Sequence, residues 1–221
     1  KRRIEFFVTN AQGDCLEVMP KIKGDFVIVT DPPFNIGYHY ANYADNLEED
    51  EYFDWLARVF SYAPFVIIHY PESIYKLSWK VEETPERVIS WVYNSNTAKQ
   101  HRDIAFFGIK PDFSKAGQSY KNPTDKRVAK LIASGRQARL YDWWNINQVK
   151  NVSKDKTTHP CQMPTEVMEN IIKLIPERYT IVDPFAGSGT TGVACRNLGR
   201  NYILIEKEPK YVEIINKRLT P

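Results

Sequence analysis

A mostly parallel, doubly wound α/β sheet is the fold that the sequence predicts, and three observations carry the expectation. Short, continuously apolar runs such as Phe26-Val27-Ile28-Val29 end abruptly at turn residues, the pattern of strands buried on both faces. Stretches with helical periodicity alternate with those runs. A strand, a glycine-rich turn and a helix follow one another within residues 179–198.

The elements follow in order. Phe26-Val27-Ile28-Val29-Thr30 is a strand stopped by Asp31-Pro32-Pro33-Phe34, because proline has no N–H for a sheet ladder. Residues 47–62 place Tyr52, Phe53, Leu56, Val59 and Phe60 on one helical face, and Phe65-Val66-Ile67-Ile68-His69 is the next strand. Residues 87–93 and 103–108 read as two further strands, connected through Asn94-Ser95-Asn96 and expected to form an antiparallel edge. Trp91 and Tyr93 belong to the core of that pair. The stretch 111–156 is polar, with one short helix expected at 125–134 and an aromatic knot, Tyr141-Asp142-Trp143-Trp144, whose tryptophans anchor it. From Pro164 onward a helix with Val167, Met168, Ile171 and Ile172 inside, a strand at 179–183, a helix at 188–198, a strand at 201–206 and a helix at 209–219 complete the pattern. Residues 1–110 and 157–221 thus form one α/β domain, and 111–156 an insert.

The 221 residues include 30 Lys and Arg against 27 Asp and Glu, with 43% hydrophobic residues, an ordinary globular composition. No window approaches the ~20 consecutive apolar residues of a membrane helix, and Lys1-Arg2-Arg3-Ile4 is not followed by the apolar stretch of a secretion signal. No membrane partner and an intracellular, cytoplasmic location are therefore expected. The chain starts at Lys1 without a methionine, and residues preceding it are expected. Cys15, Cys161 and Cys195 are far apart and lack C-x-x-C spacing or clustered histidines, so neither disulfides nor a metal site is expected. Between Lys99 and Lys156 there are 13 Lys and Arg against 5 Asp, in a chain whose net charge is only +3. A basic middle between acidic flanks is the pattern of a segment that neutralises phosphates.

Two turns carry chemistry. Asp183-Pro184-Phe185-Ala186-Gly187-Ser188-Gly189-Thr190-Thr191 lies between strand and helix, where backbone glycines admit a nucleotide-like ligand at the strand's carboxyl end. Glu206 ends the following strand, where a carboxylate can accept both ribose hydroxyls. Gly187-Ser188-Gly189-Thr190-Thr191-Gly192 has the G-x-G-x-x-G spacing of a nucleotide-binding turn, and no Gly-Lys-Ser/Thr phosphate loop follows it. Asp31-Pro32-Pro33-Phe34 is the sharper signal. An exocyclic amine on a nucleobase has its lone pair delocalised into the ring, and acceptors on its N–H groups favour a more tetrahedral, nucleophilic nitrogen. Asp31 and the Pro32 carbonyl supply acceptors, the two prolines stiffen the turn, and Phe34 offers a face for an extruded base.

Together these motifs resemble the amino-group DNA methyltransferases that use S-adenosylmethionine. Asp31-Pro32-Pro33-Phe34 is similar to their D/N/S-P-P-Y/F/W catalytic motif, and Phe185-Ala186-Gly187-Ser188-Gly189 to their F-x-G-x-G cofactor motif. With the catalytic motif first and a basic insert between the two, the order resembles the permuted beta class, and a prokaryotic or phage-like enzyme. The resemblance implies a Rossmann-like methyltransferase fold with a target-recognition insert. It implies a catalytic set of Asp31, Pro32, Pro33 and Phe34, and a cofactor set of Asp31, Asp183, Phe185, Gly187, Ser188, Gly189 and Thr190, with Glu206 on the ribose. Gly13-Asp14-Cys15-Leu16-Glu17 resembles the segment beside the cofactor adenine, with Asp14 as a plain helix cap the alternative. His159-Pro160-Cys161-Gln162-Met163-Pro164 resembles the H-P-x-x-K-P element, which assigns His159 and Pro160 to the cofactor; Met163 stands where lysine is commoner.

The implied reaction is direct in-line methyl transfer to duplex DNA after base flipping, without a metal. Cytosine C5 chemistry would require a nucleophilic cysteine after a proline pair, and none of the three follows one. Asp31 favours adenine N6 over cytosine N4 within the resemblance, and Lys121, Lys126, Arg127, Arg136 and Arg139 are the DNA contacts expected of the insert. The resemblance also admits a homodimer and a cognate restriction endonuclease. Rival readings are a methyltransferase for RNA or protein amines, a silent DNA-binding module and a nicotinamide dehydrogenase. The order of the motifs weighs against the first, and intact Asp31, Gly187, Gly189 and Glu206 against the second.

Overall fold

Continuous β-branched runs form strands when both faces can be covered, and the computed structural model, which describes residues 8–37, 45–149, 156–159 and 161–220, is built on such strands. In chain order they are β1 (Val8–Gln12), β2 (Phe26–Thr30), β3 (Phe65–His69), β4 (Arg87–Val92), β5 (His101–Phe107), β6 (Gly117–Gln118), β7 (Ala138–Arg139), β8 (Trp143–Asn145), β9 (Thr180–Asp183) and β10 (Tyr202–Glu206). The helices are α1 (Cys15–Val18), α2 (Glu49–Phe60), α3 (Pro71–Val81), α4 (Lys126–Ala133), α5 (Thr165–Lys173), α6 (Thr190–Asn197) and α7 (Pro209–Leu219). Eight strands form one sheet in the order β1-β10-β9-β2-β3-β5-β4-β8, in which only β5 runs against the rest; β6 and β7 pair separately.

Alternation along each strand feeds two cores. Val27 and Val29 of β2 and Val66 and Ile68 of β3 face α5, α6 and α7, joined by Met168, Ile171, Ala194 and Ile215. Ile28, Phe65 and Ile67 face the other way, toward α1, α2 and α3, with Tyr52, Leu56, Ile74 and Leu77. The mostly parallel, doubly wound sheet expected from the sequence is therefore present, with helices on both faces. From β2 the chain turns through α2 toward β3, and from β9 through α6 toward β10. The sheet order thus diverges between β2 and β9, which lie side by side in parallel with Ile28 opposite Val182. At such a switch point a crevice opens beyond the carboxyl ends of the strands.

The fold departs from the sequence expectations at several places. The β4–β5 pair is antiparallel as expected, but it is not an edge: β5 also pairs with β3, and β8 covers β4 with Trp144 opposite Trp91. The basic stretch therefore contributes a strand to the main sheet. Trp144 is buried within the core, while Trp143 is half exposed under the Lys121 ammonium, 5.0 Å from its ring. Strand β1 and helix α3 have no counterpart among the elements expected from the sequence. The expected short helix is α4, capped by the Asp125 carboxylate, which accepts from the Arg127 and Val128 amides at 2.8 and 3.2 Å.

Candidate active site

A cleft of about 680 Å³ lies over the β2–β9 junction, within the size range of small-molecule sites. Its floor is tied by Asp183, the last residue of β9. Its Oδ1 accepts from Thr30 Oγ1 at 2.7 Å and from the Phe185 amide at 3.1 Å, and its Oδ2 accepts from Thr191 Oγ1. Burial raises the Asp183 pKa and these donors oppose the rise. One carboxylate thus fastens the end of β2, the glycine-rich turn and the start of α6 together. Asp183, expected in the cofactor set, lines the cleft with both oxygens engaged by protein donors.

Asp31 leaves β2 beside it. Its side chain is 15% exposed, Oδ2 lies 3.7 Å from Arg102 Nη1, and Oδ1 is buried without a hydrogen-bond partner. Burial pushes its pKa up to about 7, the Arg102 charge lowers it, and the Asp183 charge raises it. The two prolines that follow are held from behind: Tyr52 Oη donates to the Pro33 carbonyl at 2.6 Å and lies 2.9 Å from His69 Nε2. His69 Nδ1 accepts from the Tyr70 amide at 2.8 Å, which leaves Nε2 as the protonated nitrogen of a neutral ring. Burial first, then the Arg102 charge, lower the His69 pKa to about 3. Phe34 packs its ring 4.5 Å from the His69 ring and 5.2 Å from that of Tyr70. Past it, Asn35 adopts a left-handed conformation (φ 56°) that the Asp45 carboxylate fixes by accepting from the Asn35 and Ile36 amides.

The opposite wall is the glycine-rich turn. Gly187 and Gly189 have φ of 52° and 77°. A Cβ on Gly187 would stand 2.9 Å from His159 Nε2, and one on Gly189 3.0 Å from Ile215, so the turn requires glycine at both positions. Glu206 Oε2 accepts from the Gly187 amide and Oε1 from the Glu208 amide, each at 2.8 Å; its pKa is raised by burial. Ser188 and Thr190 are buried with their hydroxyls hydrogen-bonded to each other at 3.2 Å, and Arg218 Nη1 donates to the Ser188 carbonyl at 2.6 Å. His159 stacks edge-on against Tyr211 at 4.5 Å, and burial with Lys156, Lys210 and Arg218 nearby lowers its pKa to about 4. Asp14 caps α1, accepting from the Leu16 amide at 3.0 Å, and it also lines the cleft. Cys15 lines the cleft as a buried thiol pushed up to about 12 by burial.

Asp31, Pro32, Pro33, Phe34, Phe185, Gly187, Ser188, Thr190 and Glu206 therefore meet at one cleft, which His159 and Asp14 also line; Gly189 stands behind the turn, against Ile215. Pro160 lies outside the described residues. Lys121, Lys126, Arg127, Arg136 and Arg139 are all exposed, Lys126 and Arg127 on the first turn of α4. Sequence reasoning missed Trp55, 5.1 Å from Phe185 in the cleft wall, because its helical spacing reads as core. It missed the supporting pair Tyr52 and His69, and Arg102, which counted only as one more charge of the basic stretch. The residues suit S-adenosylmethionine: two glycines clear the backbone, Trp55 and Phe185 supply apolar faces, and Glu206 and Asp14 are carboxylates of the kind that hydroxyls and amines require. Among the described residues no group of three or more His, Cys, Asp or Glu is placed to hold a metal ion, and no helix is long and apolar enough to cross a membrane.

Comparison with known proteins agrees with this geometry. A family model described as DNA methylase, of the N6/N4 methyltransferases, matches residues 26–217. The chain is 28% identical to the type II methyltransferase M.HpaI of Haemophilus parainfluenzae over 87% of this chain and 67% of that protein. It is 28% identical to the DNA adenine methyltransferase YhdJ of Escherichia coli over 96% of this chain and 82% of that one. Among solved structures, a cytosine-N4-specific PvuII DNA methyltransferase superposes with a TM-score of 0.71 at 18% identity, covering 97% of this chain and 86% of that one. A complex of M1.HpyAVI with S-adenosylmethionine superposes with a TM-score of 0.67 at 23% identity, covering 97% and 100%. With both motifs at one cleft and a family model spanning most of its length, the chain belongs to the DNA methylase family of S-adenosylmethionine-dependent N6/N4 amino-methyltransferases.

Proposed function

We propose that this DNA methyltransferase acts on the N6 amine of adenine in duplex DNA, flipped into the cleft, by direct in-line transfer. The observation that carries the reading is Asp31: a largely enclosed carboxylate whose buried Oδ1 has no hydrogen-bond partner, in the wall of the cofactor cleft. Bound S-adenosylmethionine supplies an electrophilic methyl group. The chain's part is to hold the amine. Asp31 and the Pro32 carbonyl accept its N–H groups, which localises the lone pair on nitrogen. The Tyr52–His69 pair keeps the proline turn rigid, so those acceptors are in place before the base arrives. Phe34 stacks on the base, and the exposed cations of α4 and its surroundings hold phosphates while it is extruded.

Aspartate at position 31 and the similarity to a DNA adenine methyltransferase over nearly the whole chain support adenine. A second reading, cytosine N4, is favoured by the backbone likeness to a cytosine-N4-specific enzyme. The test is incubation with methyl-labelled S-adenosylmethionine and unmethylated duplex DNA of mixed sequence, digestion to nucleosides and mass spectrometry, with Asp31→Ala alongside. Label in N6-methyl-2′-deoxyadenosine that the variant loses supports the proposal. Label in N4-methyl-2′-deoxycytidine moves the target to cytosine. Absence of label in DNA from a protein that binds the cofactor refutes it.

A further inference from the structure

Neither motif predicts Arg102. It lies on β5, its side chain only 14% exposed, with the guanidinium carbon 4.5, 5.6, 5.8 and 5.9 Å from the ring centroids of Phe34, Trp91, Tyr70 and Tyr93. Nη1 points at Met163 Sδ, 3.8 Å away, and at Asp31 Oδ2, 3.7 Å away. A guanidinium so largely withdrawn from water is destabilising unless its charge is answered, and Asp31 is the carboxylate that answers it. Yet the pair does not close. At 3.7 Å it is beyond hydrogen-bond length, and Arg102 Nε and Asp31 Oδ1 are both buried without partners. An ion pair selected for cohesion would take up those atoms as a two-pronged fork. This one leaves the carboxylate attracted but unspent.

We propose that Arg102 is a positioning residue for Asp31: from its aromatic cage it keeps the carboxylate in the ionised, accepting form without occupying the oxygen that receives the target amine. The proposal rests on the reading of Asp31 as the amine acceptor. The charged groups facing Asp31 are Arg102 from β5 and Asp183 from β9, and those acting on Arg102 besides Asp31 are Tyr93, Tyr70 and Cys161. Burial and Asp183 drive Asp31 toward the neutral acid, which no longer accepts through both oxygens; Arg102 is the group that opposes them.

The test compares the full chain with Arg102→Lys and Arg102→Met. Two readouts are taken across about pH 5.5 to 9.5: single-turnover methyl transfer to unmethylated duplex DNA, and the carbon-13 resonance of the Asp31 carboxyl, assigned by its loss in Asp31→Asn. Melting curves and titration with S-adenosylhomocysteine establish that fold and cleft persist, and Arg102→Gln replaces the methionine variant if that one does not fold. In Arg102→Met the acid limb of the rate and the carboxyl midpoint both move up by about one pH unit or more, so transfer at pH 6.5 falls roughly tenfold and recovers toward pH 9. Arg102→Lys, which keeps the charge, stays close to the parent. A uniform loss of rate with an unmoved limb, or an unmoved carboxyl midpoint, overturns the proposal. If the parent methylates no DNA, the reading of Asp31 as amine acceptor fails, while the carboxyl midpoint still decides whether Arg102 holds its charge.

Discussion

Replacing Gly187 with alanine tests whether the glycine-rich turn is shaped by the ring behind it. Two effects separate cleanly. The left-handed backbone at φ 52° strains any residue with a Cβ, by about 1–2 kcal/mol. In addition the new methyl stands 2.9 Å from His159 Nε2 and 3.2 Å from Cε1, and that imidazole is itself braced against Tyr211. Gly199→Ala is the control: φ is 63°, but a Cβ there meets nothing within 4 Å, so it carries the backbone strain alone. Both variants are expected to melt roughly 2–8 °C lower, at about 2–4 °C per kcal/mol for a domain of this size. Only Gly187→Ala displaces the wall of the cleft, and its affinity for S-adenosylhomocysteine, by calorimetric titration, is expected to fall at least tenfold, or about 1.4 kcal/mol. Adding His159→Ala removes the obstructing ring, and the double variant regains part of that loss. Wild-type affinity in Gly187→Ala, or an equal loss in Gly199→Ala, would refute the assignment of the turn and its histidine to the cofactor wall.

Three further outcomes are expected. Tyr52→Phe removes the donor to Pro33 and leaves His69 Nε2–H buried without an acceptor, a loss of about 1–3 kcal/mol in denaturant unfolding together with slower methyl transfer at unchanged cofactor affinity. Asp31 has a folded pKa of about 7, above its ordinary 3.8, so the folded state holds a proton that the unfolded chain releases between those values. Its contribution to stability is therefore full below pH ~4 and is lost as pH rises through ~7; the difference curve between the parent and Asp31→Asn should show that decline, and a flat one would contradict it. Lys126→Ala and Arg127→Ala should each lower the slope of log affinity against log salt for duplex DNA by about 0.9, with cofactor binding untouched.

The parts of the molecule that the sequence discloses are those whose cause is local. Phe26 to Thr30 reads as a buried strand because every residue in it is apolar or β-branched and two prolines end it. Gly187 and Gly189 read as a ligand turn because positive φ selects glycine. What sequence reasoning misses is produced by distant contacts. Strand β8 is three residues long, and only pairing with β4 makes it a strand. Helix α3 opens on Pro71 and buries just Ile74 and Leu77, too little periodicity to register. Tyr52 looks like any aromatic on an amphipathic face until His69 and the Pro33 carbonyl arrive from other segments. Arg102 counts as surface charge until four rings and Asp31 enclose it.

The two halves of the cleft are fastened by a hydrogen bond between Thr30 and Asp183, 153 residues apart. On the ribosome, at about 5–20 residues per second, roughly 8–30 s separate the emergence of one strand from that of its neighbour. Throughout that interval β2 presents one ladder of unpaired amides and carbonyls on an apolar strand, a template for mispairing with other chains. A message truncated ahead of Thr180 is expected to yield not a partly active enzyme but a sheet with an open seam. Expression of such fragments should give insoluble protein, and supplying the missing C-terminal strands in trans is the rescue that this architecture invites.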